Sequence, residues 1–587
     1  MPQALGRLLE ASWEVANKVG GIHTVITSKL PLVQATYADR YLAVGPEVGQ
    51  GDSVFHEASL PADLQEVATR LATQGINFRY GTWNVPGKPA AVLLNWQGMV
   101  SNLNQYKSQY WKAFSLDTLG SDFYDVDTPL LWSTAVGIFA KLYAESNPTP
   151  LTLQVHEWMA GGALLALHGV TPTNLRTVFT THATVLGRAL SSRGTALNDQ
   201  LSSIDPTQAA HDLGVTSKHQ IEMLAATHAD VFTTVSSLTA REAGHLLGRT
   251  PDVITENGLS SSTLPDFQTL CLRRAASRRL LDDFTAAYCF PAESFDLNQT
   301  TYSFTMGRYE VVNKGYDSYL DSLGALNGQL KAEQSAKTMV AFILVPTGNS
   351  PLRGETATLL SLYSRIQAEL IRLENTSLPS LHRQHWNRPR PEQLPAPQSS
   401  HLTALLELVP NQESTPYSPY ALGSGEGITF LELARQAGLH NRPEDRIKVI
   451  YSPVYLDGHD GIFNLPLYDL VAGFDLGIFP SRYEPWGYTP LECLAMGVPA
   501  VTTDWAGFGE AVQDLGNYEG KSLGGAEVLP RSSDVVQPLT ALLKSALTLD
   551  GHRLSQQRIG AYLTAQQFTW EQLYHRYTEA YSQAWSK

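Results

Sequence analysis

Residues 477–509, GIFPSRYEPWGYTPLECLAMGVPAVTTDWAGFG, hold the densest set of side chains able to do chemistry. Glu484 and Glu492 enclose seven residues, among them Pro485, Trp486 and Gly487. A strand over 477–480 is expected to run into this loop. Thr489-Pro490-Leu491-Glu492 then reads as a helix start, with a capping Thr, Pro at the first helical position and Glu three after the cap. A helix N-terminus behind a strand presents N–H groups and the positive end of the dipole, which suits a phosphate. The two acids would sit on opposite sides of the loop–helix junction, able to face different parts of one ligand. Taken singly, Glu492 could merely close the capping box and Glu484 could be a solvated loop acid. Gly, Pro and Trp crowded beside two acids are harder to explain by packing.

Three further groups carry the right residue types. Lys18-Val19-Gly20-Gly21 follows an apolar run over 8–15, and a Gly pair there lets backbone N–H groups approach a phosphate, although taken alone a tight turn explains it better. Arg308 and Lys314 flank a turn between a strand over 302–306 and a helix. Two cations so placed could neutralise a diphosphate, Arg by its fork and Lys as a point charge, or could be ordinary surface cations. His182, with Arg188 six residues on, should emerge at the C-terminal end of a strand, the edge where open α/β sheets bind ligands. His156-Glu157-Trp158 marks a second such edge. It is not HExxH, and no other spacing suits a metal, so no metal site is assigned.

The elements that must position these groups are short β-branched runs alternating with amphipathic stretches. The runs fall at 40–44, 91–95, 151–156, 177–181, 231–235, 338–345, 446–451, 477–480 and 500–503. Their order predicts parallel sheets with crossover helices, an α/β fold. Residues 265–295 read as an Arg-rich helix, and 355–425 as a helix over 356–375 passing into a Pro-rich stretch at 389–397. The aromatic-rich helix over 570–585 must pack on something, with the first lobe as the candidate.

Composition bounds the function. The 587 residues carry 42 Lys plus Arg against 56 Asp plus Glu, a formal charge of −14 that argues against a nucleic-acid partner. With 43% hydrophobic and 17% charged residues the chain is globular. No apolar stretch reaches the roughly 20 residues of a membrane helix. Three scattered cysteines and the absence of a signal-peptide pattern point to a cytoplasmic protein.

The segments SWEVANKVGGIHTV (12–25), QVHEWMAGGAL (154–164), FTTHATVLGRAL (179–190), ENGL (256–259), GRYEVVNKG (307–315) and SRYEPWGYTPLECLAMGVP (481–499) run in one order along the chain. In that order it resembles glycogen synthase of the animal and fungal type, glycosyltransferase family 3. The resemblance implies a GT-B fold, with two Rossmann-like lobes, a deep cleft between them and helical insertions. It divides the chain into an acceptor-side lobe over 1–295 and a nucleotide-sugar lobe over 296–565 with its insertion about 355–425. A C-terminal helix over 566–587 would return to the first lobe. The implied activity is retaining, metal-independent transfer of glucose from a nucleotide sugar, UDP-glucose favoured, to the non-reducing end of glycogen or a maltooligosaccharide. No cofactor is implied.

By the same resemblance Glu484 supports positive charge at the anomeric carbon and Glu492 holds the ribose hydroxyls. Arg308 and Lys314 bind the diphosphate, and Gly487, Tyr488 and Thr489 add contacts from the helix start. Lys18, Gly20 and Gly21 complete the donor site, and His182 and Arg188 are the catalytic His and Arg of the cleft. Glu157 and Asn257 match further cleft positions, and Tyr455 an aromatic that stacks on the base. A second base-stacking Tyr of the family falls nearest Leu467, beside Tyr468, which leaves uridine against adenosine open. The family's Arg-rich C-terminal helix that senses glucose 6-phosphate has no counterpart, since residues 550–587 hold only Arg553, Arg558 and Arg576. Activation by glucose 6-phosphate is therefore not expected. The inserted helices that build a tetramer in the family diverge, so a homo-oligomer is left open. The alternatives are an ADP-glucose-dependent glucan synthase or other retaining GT-B transferase, and a glucan-binding protein without catalysis.

Overall fold

The computed structural model describes residues 6–587 apart from Ala196, Asn349, 386–399, Ser424, 520–523 and 531–533, so the Pro-rich stretch at 389–397 lies outside the described residues. Two sheets organise the chain. The first contains β1 (Arg7–Ala11), β2 (Tyr41–Pro46), β3 (Phe55–Glu57), β4 (Asn77–Trp83), β5 (Ala90–Asn95), β6 (Leu151–His156), β7 (Leu175–Thr181), β8 (Val231–Thr234) and β9 (Val253–Ile254). Their order is β3-β4-β5-β2-β1-β6-β7-β8-β9. The second contains β10 (Thr300–Met306), β11 (Thr338–Leu344), β12 (Ile447–Ser452), β13 (Leu476–Ile478), β14 (Ala500–Thr503) and β15 (Ala526–Leu529), in the order β12-β11-β10-β13-β14-β15. The second sheet is parallel throughout, and the first is parallel except where β4 meets β3 and β5.

Near-continuous apolar strands suit a sheet covered on both faces. All seven residues of β11 are buried. Its alternate side chains serve different cores: Met339, Ala341 and Ile343 face one layer, Val340, Phe342 and Leu344 the other. Leu8 and Leu9 of β1 divide in the same way. In each sheet the connections reverse direction once, between β1 and β6 and between β10 and β13. A crevice opens at such a switch point beyond the carboxyl ends of the strands.

The Arg-rich segment forms the helix Phe267–Cys289, which packs against the second sheet's side of the molecule. Arg274 and Arg278 both reach Asp475, at 2.8 and 2.6 Å. The inserted helix runs Gly354–His385. The C-terminal aromatic stretch is two helices, Trp570–Leu573 and His575–Ser586, and both lie on the first lobe. Trp570 Nε1 donates to Ser28 Oγ at 2.7 Å, Trp585 Nε1 to Thr152 Oγ1 at 3.0 Å, and the Tyr581 hydroxyl to Gln154. One core layer is therefore continuous across the molecule, from Leu8 and Ile26 through Trp570 and Tyr577 to Trp486 and Phe304.

The helix after β13 differs from expectation. It begins at Tyr488, one residue early, with Gly487 as N-cap and no side-chain cap. The Thr489–Glu492 capping box is not formed, because Gly487 turns the chain at φ +111°. Gly315, which caps the helix Tyr316–Ala332, lies at φ +68° against the Pro480 carbonyl, where a Cβ would collide. This contact seats the Arg308–Lys314 turn on the Glu484 loop. Gly315→Ala is expected to lower the apparent Tm by at least about 2 °C, reflecting more than about 1 kcal/mol. Gly354→Ala, with open space around its Cβ, should be neutral in the same calorimetric scan.

Candidate active site

The two switch points face each other across a cavity of about 500 Å³. Gly20, Gly21, Glu157, His182, Arg188 and Asn257 enter from the first lobe, and Arg308, Lys314, Glu484, Gly487, Tyr488 and Thr489 from the second. Three expected residues do not line it. Lys18 points to solvent at the turn before Val19. Tyr455 is 75% exposed, with no wall of the cavity against it. Glu492 sits one layer back, its carboxylate accepting the Tyr468 hydroxyl at 2.7 Å. Burial pushes Glu492 up to about 7, with Tyr468 and Lys314 pulling the other way.

Lys314 and Glu484 form an ion pair at the cavity wall. Their loops are braced rather than loose. Arg482 N–H donates to the Asn313 carbonyl at 2.8 Å, and the Arg482 guanidinium bonds Asp317 at 2.8 Å and Ser318 at 2.7 Å. Glu484 is held through its backbone, which bonds Trp505 and Gly507 at 3.3 and 2.9 Å. Arg308 is more open: its side chain is 65% exposed and meets Glu310 at 2.9 Å. Behind Glu484 the uncapped N-terminus at Tyr488 gives the cavity a positive helix end.

On the first lobe, Glu157 holds φ +67°, a left-handed conformation costing on the order of 1–3 kcal/mol for a non-glycine residue. The turn aims its carboxylate at the His182 and Ala183 N–H groups, 2.9 and 3.2 Å away. Burial raises the Glu157 carboxyl to about 7, against the pull of Arg188 and those two N–H donors. Burial opposes the charge of Arg188, but Tyr483, Glu157, Glu310 and Glu484 outweigh it and its pKa is raised. The Gly20–Gly21 turn is already engaged. Glu14 accepts the Gly20 and His23 N–H groups at 2.8 and 2.9 Å, filling the start of the helix Gly21–Tyr37.

Glu14 was not singled out from sequence, because it lies six residues ahead of the Gly20 N-cap, outside the positions where a capping acid is read. Glu222 and Glu242 left no trace either. Both are buried beneath the helix Val185–Ser192, where Glu222 accepts Thr181 Oγ1 and Val185 N–H and Glu242 accepts Thr184 Oγ1 and the Tyr483 hydroxyl. Burial raises Glu222 well above the usual carboxylate range and Glu242 to about 7. Among the described residues no group of three or more His, Cys, Asp or Glu is arranged to hold a metal ion. No helix among them is long and apolar enough to cross a membrane.

The model of one protein family, glycogen synthase, matches residues 10–587. Glycogen [starch] synthase isoform 2 of Saccharomyces cerevisiae is 34% identical over 541 residues, covering 86% of this chain and 75% of that protein. The liver glycogen [starch] synthase of Mus musculus is 32% identical over 515 residues, covering 86% and 73%. The catalytic domain of starch synthase IV from Arabidopsis thaliana, bound to ADP and acarbose, superposes with a TM-score of 0.53 at 13% identity, over 99% of this chain and 100% of that one. That likeness shows the GT-B fold. Matched by one family model from residue 10 to 587 and 32–34% identical to named members, the chain belongs to the glycogen synthase family of glycosyltransferases.

Proposed function

We propose that this protein transfers glucose from UDP-glucose to the non-reducing 4-hydroxyl of an α-1,4-glucan, with retention and without a metal ion. The observation that carries this reading is the set of cations around one cavity. Lys314 is paired with Glu484, Arg308 lines the same cavity, Arg188 enters from the opposite lobe, and a helix N-terminus adds its positive end. When the C1–O bond breaks, its electron pair stays on the departing diphosphate, and the sugar becomes oxocarbenium-like. Arg308, Lys314 and the Tyr488–Thr489 end of the helix would receive the diphosphate charge in a fixed geometry that needs no reorganisation. Glu484, released from Lys314 as the diphosphate takes that cation, would stabilise the positive anomeric carbon. The acceptor oxygen attacks C1 on the face the diphosphate leaves, and a phosphate oxygen takes its proton. His182, Arg188, Glu157 and Asn257 would hold the transferred sugar. Tyr455 and Glu492 would meet the base and ribose only after the lobes close further on the donor.

We divide the chain ahead of Phe267 rather than at 295, because the helix Phe267–Cys289 is tied to Asp475 of the second lobe. We place the protein in the cytoplasm, in keeping with its three free cysteines. Arg558 also bears on regulation. It is buried, and its terminal nitrogens donate to the Phe474 and Ala472 carbonyls at 3.0 and 3.1 Å. Arg576 meets Glu579 at 3.5 Å. Both side chains already have partners within the fold, which supports the reading that glucose 6-phosphate does not activate.

Purified protein with glycogen should release UDP from UDP-glucose faster than ADP from ADP-glucose, and EDTA should leave the rate unchanged. Release of neither diphosphate would favour a non-catalytic glucan-binding protein. Arg308→Ala should cut kcat/KM about 10²- to 10³-fold. Its Tm should hold, because the side chain is largely solvated and packs against little. Added glucose 6-phosphate should leave turnover unaltered, and a several-fold rise would refute the reading of the C-terminal arginines.

A further inference from the structure

Beneath His182 runs a row of ionisable side chains that the reading above does not use. Lys29 is paired with Glu10 Oε1, the same oxygen lies 2.9 Å from His156 Nε2, and His156 Nδ1 lies 2.9 Å from His182 Nε2. The side chains of Lys29, Glu10 and His156 are 0% exposed. The Tyr41 hydroxyl donates to the other Glu10 oxygen at 2.8 Å. The C-terminal helix covers the row, with Lys29 Nζ 5.1 Å over the Tyr577 ring. Burying an ion pair costs several kcal/mol per ion before its attraction is counted, and apolar residues of like volume often serve stability as well. Packing alone does not call for this arrangement.

The protons along the row can be counted. Burial alone would raise the Glu10 carboxyl, but Lys29 and His156 outweigh it and bring it down to about 2. Glu10 is therefore ionised and can only accept. His156 must then carry its proton on Nε2. Burial holds His156 below the usual range, so it is neutral and its Nδ1 is a lone pair. The hydrogen bond to His182 must be donated by His182 Nε2. Burial, with His156 and Lys29, keeps His182 neutral as well. Its Nδ1 is left without a proton.

We propose that Glu10, Lys29 and His156 are positioning residues that lock His182 as the Nε2–H tautomer, so that its ring offers an acceptor, never a donor, to a sugar hydroxyl in the cavity it lines. The inference rests on the glucosyl-transfer reading for its ligand, but the proton positions do not depend on that reading. Lys29 has a specific part in the lock. It balances Glu10, so that no further proton is drawn to the Glu10–His156 pair. Without Lys29 a proton would settle on that pair. On His156 it creates an Nδ1–H. On Glu10 it donates to Nε2 and shifts the imidazole proton to Nδ1. Either way His156 becomes the donor, and His182 must turn to the other tautomer.

The remaining titratable groups facing the row are Tyr37 and Tyr41 from the first lobe and Tyr574, Tyr577 and Tyr581 from the C-terminal segment, all pushed above the usual phenol range by burial. Beside His182 stand Arg188, a cation, and Glu157, whose carboxyl burial raises to about 7. Neutron diffraction from deuterated wild-type crystals should place a deuteron on His182 Nε2 and on His156 Nε2. A deuteron on His182 Nδ1 overturns the proposal, whether or not the protein proves to release UDP. In solution, Lys29→Met should add to the kcat–pH profile an acid limb beyond any that Glu157 gives wild type and variant alike. kcat should fall roughly tenfold or more below about pH 7, while KM for UDP-glucose stays within about twofold. The double variant Glu10→Gln/Lys29→Met removes both charges and should lose that limb. A wild-type profile in Lys29→Met, or the same limb in the double variant, overturns the lock. If Lys29→Met fails to fold, the neutron result decides alone.

Discussion

A parallel strand delivers the loop that follows it to one edge of its sheet, and this constraint organises everything chemical in the molecule. Gly20 and Gly21 follow β1, Glu157 follows β6, His182 follows β7, Lys314 follows β10 and Glu484 follows β13. Each therefore emerges at a carboxyl edge. The reversal of strand order between β1 and β6, and between β10 and β13, opens a gap at that edge. Setting the two gaps face to face encloses one cavity between them. Side chains up to about 470 positions apart in sequence, from Glu14 to Glu484, become its walls.

Around the cavity itself the two lobes meet through polar bridges. Ser191 donates to Asn313 at 2.9 Å, Ser236 to the Pro485 carbonyl at 2.7 Å, and Tyr483 to Glu242 at 3.0 Å, while Arg241 pairs with Glu510. These contacts lie beside the cavity and link the Glu484 loop directly to the first lobe. They are polar, the kind of contact that can open and re-form as substrates enter and products leave. The C-terminal helices give the opposite kind of contact. Trp570, Tyr577 and Tyr581 belong to a core layer shared by both sheets, so the chain that completes the second lobe also seals the floor of the first.

That floor is unusually rich in buried acids. Glu10 is held ionised by Lys29 and His156, whereas Glu157, Glu222 and Glu242 are pushed upward by burial. The difference lies in partners. Glu10 has a cation against it, while Glu222 and Glu242 accept from hydroxyls and backbone N–H groups. The field reaching His182 is thus set by which acids carry charge as much as by how many there are.

Much of this was legible in the sequence. Apolar periodicity located strands at 151–156 and 500–503 to the residue, because strands buried on both faces must be apolar throughout. Collinear motifs marked twelve of the fifteen expected site residues that meet in the cavity. The departures came where local pattern competed with long-range contact. Thr489-Pro490-Leu491-Glu492 has every mark of a capping box, yet Gly487 starts the helix early and Glu492 turns to Tyr468. Lys18 follows its motif but points to solvent. Glu222, Glu242 and the Lys29–Glu10–His156 row had no sequence signature, since a buried charge is defined by neighbours brought from distant segments. Residue order alone determined which side chains stand at strand ends. Which of those ends face one another, and which charges are cut off from water, only tertiary packing could decide, because desolvation depends on what surrounds a group in space.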